Sequence, residues 1–223
     1  MKKLLSVLTV LLIAAMGCAG LSGCLSKSEL ARLDKALTNA QKTFSSMDNI
    51  DNEDLSAGVY SGVQSVQLMS AESYTDPVYT LSVGENLQKV NQALELQAQL
   101  RDKQASVDQN RLLIEAAIAD FKVNVKNFTA AELQLTQEEK DMVKGYISEL
   151  AQIREALIAT IGQVYRKIAD LRGQYRLSNL DNIIAVYTNV QPHMDVRVEK
   201  SGRIVEILGE INIFLAGKIA DEY

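Results

Sequence analysis

Two thiols, one imidazole and a scatter of carboxylates are the first groups in this 223-residue chain from which chemistry would be sought. Cys18 and Cys24 are too few for a disulfide scaffold or a four-thiolate zinc site. His193 is the single histidine, which leaves no second imidazole for His-rich metal binding and little for imidazole-based catalysis. It stands beside Pro192 and is expected to be a structural, partly exposed side chain. The acidic tract Asp48-Asn49-Ile50-Asp51-Asn52-Glu53-Asp54 invites comparison with a calcium loop. The Asp/Asn spacing, central glycine and distant glutamate of such a loop do not line up in it, so a turn leading into the acidic first turn of a helix is expected. Glu138-Glu139 and Asp221-Glu222 are neighbouring carboxylates placed where helix starts and chain ends carry ordinary solvated charge. No nucleophile elbow, phosphate-binding glycine loop, dinucleotide fingerprint or zinc-binding His-Glu motif occurs. An acid pair of the glycosidase type can be distant in sequence. Against it stand the lack of tryptophan and an aromatic content of 5%, because sugar sites often use aromatic platforms. The chain is therefore expected to be non-enzymatic and to need no cofactor or metal, with an unrecognised hydrolase as the catalytic alternative.

The thiols have a different meaning at the chain start. Lys2 and Lys3 precede an apolar run from Leu4 to Ala15, followed by small residues from Gly17 to Gly23, which is the pattern of an export signal. The run is short for a bilayer span. At its end, Leu21-Ser22-Gly23-Cys24 resembles the lipobox of bacterial lipoproteins. The resemblance covers this short tract alone. It implies that residues 1–23 are removed and that Cys24 is acylated, with Ala15-Met16-Gly17-Cys18 as a poorer second match that would put the lipid on Cys18. Removal of 1–23 takes away two lysines and no acid, moving the net charge from −5 to −7 and leaving no unmodified cysteine. Two acyl chains suffice for stable anchoring. By the same family pattern, Leu25 after the cysteine directs the protein to the outer membrane of a Gram-negative cell, or to the outer leaflet of a cell with one membrane.

The body must then be built from elements that scarce punctuation permits. Two prolines and 12 glycines are few for an all-β chain, and 47% hydrophobic residues are ample for a core. Four start signals pair a hydroxyl with an acid three residues on: Ser26…Glu29, Ser82…Glu85, Thr136…Glu139 and Ser178…Asp181. Leu30, Leu33, Leu37, Ala40, Phe44 and Met47 form one helical face, and a second helix is expected over Leu55 to Met69, with Gly58, Ser61, Gly62 and Ser65 as a small-residue flank. Tyr74 to Gly84 contains Pro77 and is expected as an irregular connector, with Val78-Tyr79-Thr80-Leu81 able to pair as a short strand.

A long helix is expected from Glu85 to about Phe128. Its face runs through Ala93, Leu96, Leu100, Lys103, Val107, Asn110, Ile114, Ala117, Phe121, Asn124 and Phe128, and Leu113, Ile118 and Val125 widen it. Lys103, Asn110 and Asn124 share one heptad position, where polar residues fix register and partner number at some loss of stability. A second long helix is expected from Thr136 to Tyr175, with a stutter between Leu157 and Ile161. At 1.5 Å per residue each reaches roughly 60 Å, and the short connection between them predicts an antiparallel hairpin with Gln134 to Glu139 at its tip. In the last third, Pro192 is expected to kink or end a helix. A final helix over Ile204 to Ile219 should dock through a stripe of Gly202, Gly209 and Ala216, and Arg203, Glu206, Glu210 and Lys218 exclude it from a bilayer.

The expected fold is thus all-α, an elongated helical bundle with a long antiparallel coiled-coil-like hairpin. It divides into a signal over 1–23, N-terminal helices and connector over 24–83, the hairpin over 84–176, and C-terminal helices over 177–223 packing on it, with 24–223 as one domain. The net charge of −5 argues against a nucleic-acid partner. The expected function is that of a lipid-anchored envelope protein acting as a helical interaction or scaffold module, with partner contacts at Lys103, Asn110, Asn124, Gln134 and Glu138 and self-association through its helices open to it. The alternative is a bundle that carries a lipid or other apolar ligand.

Overall fold

A computed structural model of the chain describes residues 28–47, 77–171, 174 and 177–222. The signal tract with Cys18 and Cys24, Ser26, the acidic tract 48–54, the helix expected over 55–69, Tyr74 and Tyr175 lie outside the described residues. What is described is a helical bundle. In chain order it has α1 (28–45), α2 (Pro77–Ala130), α3 (Gln137–Thr160), the short α4 (Tyr165–Ala169), a 3-10 turn (Leu177–Asn179) and α5 (Leu180–Ala220), and no strand among the described residues. Two compact units divide these helices. The first takes the described residues of 1–42, 113–154 and 204–223; the second takes those of 43–112 and 155–203.

α1 follows its sequence pattern closely. Leu30, Leu33, Leu37, Ala40, Phe44 and Met47 are all buried, none more than 4% exposed. The helix closes with Ser46, whose N–H and hydroxyl both bond the Thr43 carbonyl, and with the Met47 N–H on the Phe44 carbonyl. These tight i→i+3 bonds satisfy carbonyls that a helix end otherwise leaves open.

α2 begins earlier than expected. The backbone is helical from Pro77 through 78–81, which corrects the reading of that tract as connector or strand, and Ser82 lies inside the helix rather than at its cap. Proline at the first helical position lacks only an N–H that would have no partner there, and its fixed φ suits the helix. The buried face of α2 is also wider than a single stripe. Ala93, Leu100, Val107, Ile114, Phe121 and Phe128 form its centre, with Ile118, Gln97 and Gln104 buried on one flank and Lys103, Asn110 and Asn124 half-buried on the other. Leu113, assigned to the stripe from its position, is 45% exposed.

The turn from α2 to α3 has two built-in stops. Leu133 N–H bonds the Phe128 carbonyl and Glu132 N–H bonds the Thr129 carbonyl, the paired bonds of a Schellman end. Glu132 occupies the left-handed position at φ 53° that glycine usually fills. Four residues on, Thr136 and Glu139 form the expected reciprocal capping box. The Glu139 N–H donates to Thr136 Oγ1 at 3.3 Å and the Thr136 N–H donates to Glu139 Oε2 at 2.7 Å.

α3 does not run to Tyr175. It stops at Thr160, followed by a turn in which Gly162 adopts φ 75°, and Ile161 is exposed rather than on the core face. The step from Leu157 to Ile161 is thus a helix end, not a stutter: glycine supplies the left-handed conformation that reverses the chain. Leu157, Val164, Ile168 and Leu171 remain buried across the break. α5, by contrast, continues through Pro192 instead of ending there. Pro192 and Thr188, whose carbonyl loses its ladder partner, both lie on the exposed side where water can bond the carbonyl. The small-residue stripe is not a close-docking surface along its length. A Cβ on Gly202 would sit 3.8 Å from Asn110 Nδ2, but one on Gly209 would meet nothing within 4 Å, and Ala216 is exposed.

Candidate functional site

Polar residues of α2 and α5 meet in layers with a constant offset. In the second unit, Lys103 Nζ donates to Gln191 Oε1 at 2.6 Å and pairs with Asp195 Oδ1 at 2.6 Å. Gln191 in turn donates through Nε2 to the Leu96 carbonyl at 3.1 Å. Asn110 Nδ2 donates to Ser201 Oγ at 2.8 Å and reaches the Val198 carbonyl at 3.5 Å. Lys89 pairs with Asp181 at 2.8 Å. Partners rise together in number, so α2 and α5 run parallel in this unit. In the first unit, Asn124 Nδ2 donates to Asn212 Oδ1 at 3.1 Å, and Asn212 Nδ2 to the Ala117 carbonyl at 2.9 Å. The pairs 103–191, 110–198 and 124–212 share one separation of 88 residues.

The three seam residues therefore direct their polar atoms to another helix of the same chain. Sliding α5 by one heptad would strand an amide, a lysine or a serine against apolar neighbours, which is how polar seam positions select register.

The tip of the turn presents the other expected residues. Gln134 and Glu138 are exposed, whereas Leu135 between them is buried at 4% exposure. In the first unit α3 lies antiparallel to α5: Lys218 pairs with Glu139 at 2.6 Å, and Tyr146 Oη donates to Glu210 Oε2 at 2.7 Å. Burial pushes the Glu139 carboxyl up, but the Lys218 ammonium and the Thr136 N–H outweigh it and hold the group below its ordinary value. Glu132→Gly is expected to stabilise the chain by about 0.5 kcal/mol, because relief of the left-handed Cβ strain exceeds the entropy that glycine adds to the unfolded state. Glu132→Ala should bring no such gain. Urea midpoints of the two variants check this, and a lower midpoint for the glycine variant would contradict it.

A buried arginine is the largest polar feature that the sequence reading passed over. Arg197 is 1% exposed; its Nε donates to Thr160 Oγ1 at 3.0 Å and its Nη2 to the Thr160 carbonyl at 3.2 Å. Thr160 Oγ1 donates onward to the Leu157 carbonyl at 2.7 Å. The guanidinium thus caps the negative C-terminal end of α3. The signal was present in the spacing: Ile183, Tyr187, Val190, Met194, Arg197, Ser201, Ile204, Leu208, Ile211 and Leu215 alternate steps of four and three, and all are buried.

His193 stands one turn before Arg197. Burial lowers its imidazole below the ordinary value, and the charges of Lys167 and Arg197 lower it further. The unfolded chain therefore takes up this proton before the folded one. Its contribution favours the fold above the ordinary histidine value of about 6.5, weakens as pH falls through that value, and levels off below the folded value. Thermal midpoints of wild type and His193→Gln at pH 7.5 and 5.5 test this. The variant should lose less stability on acidification; an equal loss would assign the effect to other groups.

No protein-family model, curated protein or solved structure matches the chain. The class that its own structure defines is an all-α helical bundle, and among the described residues no helix is long and apolar enough to cross a membrane.

Proposed function

We propose that the protein is an envelope lipoprotein, held to a membrane by diacylated Cys24, whose helical bundle serves as a non-enzymatic interaction or scaffold module. The observation that carries this reading is the lipobox-like Leu21-Ser22-Gly23-Cys24, which lies four residues ahead of the first described residue, 28. The anchor would hold the bundle at the membrane surface. The bundle supports the scaffold part of the reading with surface features suited to contact. Gln134 and Glu138 are exposed at the hairpin tip, and in the first unit Ile213 is 76% exposed and Val123 56% exposed in a shallow groove with Ala216. Large apolar side chains so placed are favoured at interfaces when they cluster. An exported scaffold would meet its protein partner there, leaving Lys103, Asn110 and Asn124 to hold the bundle in register.

A photo-reactive residue placed at 134, 138 or 213 and activated in intact cells tests the proposal. One discrete cross-linked protein, lost when the probe is moved to exposed Lys126, is the expected result. Only diffuse products from all positions would count against a specific partner. The second reading, carriage of an apolar ligand, draws on a cleft between α1 and α2 of the first unit, lined by Leu30, Phe121 and Val125 among others.

A further inference from the structure

α2 carries a second seam on the side away from its core. Ile114, Phe121 and Phe128 are buried, whereas Leu112, Ala116, Ala119 and Val123 follow one another at steps of four, three and four and are all exposed. A helix face left to water is ordinarily written in polar and charged residues. Here four successive outward positions carry none, and Leu112 is 67% exposed. The steps are those of coiled-coil seam positions, and alanines at the centre let two helices approach closely. Leu113 beside the seam is exposed as well, and in the first unit Ile213 of α5 shares a shallow groove with Asp120 and Val123.

The charges beside this seam decide what can cover it. Glu115 and Lys122 are exposed and lie one heptad apart on the same flank. Neither side chain makes a hydrogen bond or ion pair with the described residues. Asp120 is exposed on the other flank. Two parallel copies of the helix would set Glu115 of one near Asp120 of the other, like charge against like. Two antiparallel copies, related by a twofold axis level with residues 117 and 118, set Glu115 of each against Lys122 of the other. In that same register Ala116 meets Ala119 of the second copy and Leu112 meets its Val123. Leu113 comes opposite its Asp120, beside its Ile213. One register thus pairs the two free charges and covers all four large exposed apolar side chains of this face.

We propose that the outward face of α2 is a self-association surface, on which a second copy of this chain packs antiparallel about residues 112–123. This rests on the interaction-module reading above, of which it names one occupant, but it does not require the lipid anchor. The seam is short, so the dimer is a weak one, with a Kd on the order of 10 μM.

Sedimentation equilibrium of the full chain in a density-matched nonionic detergent tests the proposal by charge exchange. Glu115→Lys and Lys122→Glu should each weaken self-association by about tenfold or more, because the twofold axis turns two attractive pairs into two repulsive ones. An equimolar mixture of the two variants should associate as tightly as wild type, since every lysine at 115 or 122 then faces a glutamate. Val123→Lys should abolish the dimer while leaving the helical circular dichroism unchanged. A chain wholly monomeric at about 100 μM, a dimer indifferent to both charge variants, or a mixture no tighter than its components would overturn the proposal. Photo-cross-linking in cells separates this failure from that of the wider reading. Lys126 continues the seam, so a probe there or at 213 should also yield a product of the chain with itself, told from a foreign partner by its doubled mass. A monomeric chain whose probe at 213 captures a different protein would assign the face to that protein, overturning the dimer and leaving the interaction module standing.

Discussion

Arg197→Ala is expected to destabilise the second unit by about 3 kcal/mol or more. Two losses add in this variant. The aliphatic stem of a side chain that is 1% exposed leaves a cavity, and the Thr160 carbonyl and hydroxyl lose their guanidinium donors at the buried end of α3. Comparison with Arg197→Met separates the two. Methionine refills much of the volume but donates nothing, so it should recover the cavity part and leave a deficit of about 1–3 kcal/mol for the stranded acceptors. Arg197→Lys keeps a charge but not the planar fork that serves Nε and Nη2 together, and it should fall between alanine and wild type. Urea denaturation followed by circular dichroism measures all three. An Arg197→Ala variant within about 1 kcal/mol of wild type would show that the guanidinium is not what closes this helix end.

Cys24→Ser is expected to have the largest effect on the protein's location. Anchoring through a doubly acylated thioether is stable, whereas the remaining chain offers no described helix able to span a bilayer. Without the thiol, acylation cannot occur. The signal would then either stay uncut, as a larger precursor, or be removed to release a soluble chain. Fractionation with metabolic labelling by a palmitate analogue distinguishes these outcomes from wild type. Label and membrane association that persist in Cys24→Ser but vanish in Cys18→Ser would transfer the anchor to the upstream cysteine.

The parts of the fold that were legible in the sequence are those where one physical rule acts alone. α1 has a single apolar stripe, and every residue of that stripe is buried. The Thr136…Glu139 box located the start of α3 to the residue, because both halves of the cap are side chain to backbone and need no tertiary partner. The failures are equally specific. Pro77 and the β-branched residues after it fit either a strand or a first helical turn, and local pattern could not choose between them. The Leu157-to-Ile161 step has the same spacing in a stutter and in a helix end, and the backbone angle of Gly162 decides it.

α2 is buried on one flank and half-buried on the other, so the 3–4 spacing through Lys103, Asn110 and Asn124 and that through Gln97 and Gln104 were equally regular. Arg197 was in phase with the α5 core but was passed over because arginine is seldom fully buried without partners. The cleft between α1 and α2 had no signature at all, since its walls come from helices nearly a hundred residues apart in sequence.

The most direct test of the anchored-module account is mass spectrometry of the N-terminal peptide of the chain isolated from its native cells. The account predicts a chain that begins at Cys24 and carries diacylglycerol on its sulfur, with fatty acids released by alkaline hydrolysis. A chain that begins elsewhere, or a Cys24 recovered as a free thiol, would contradict it.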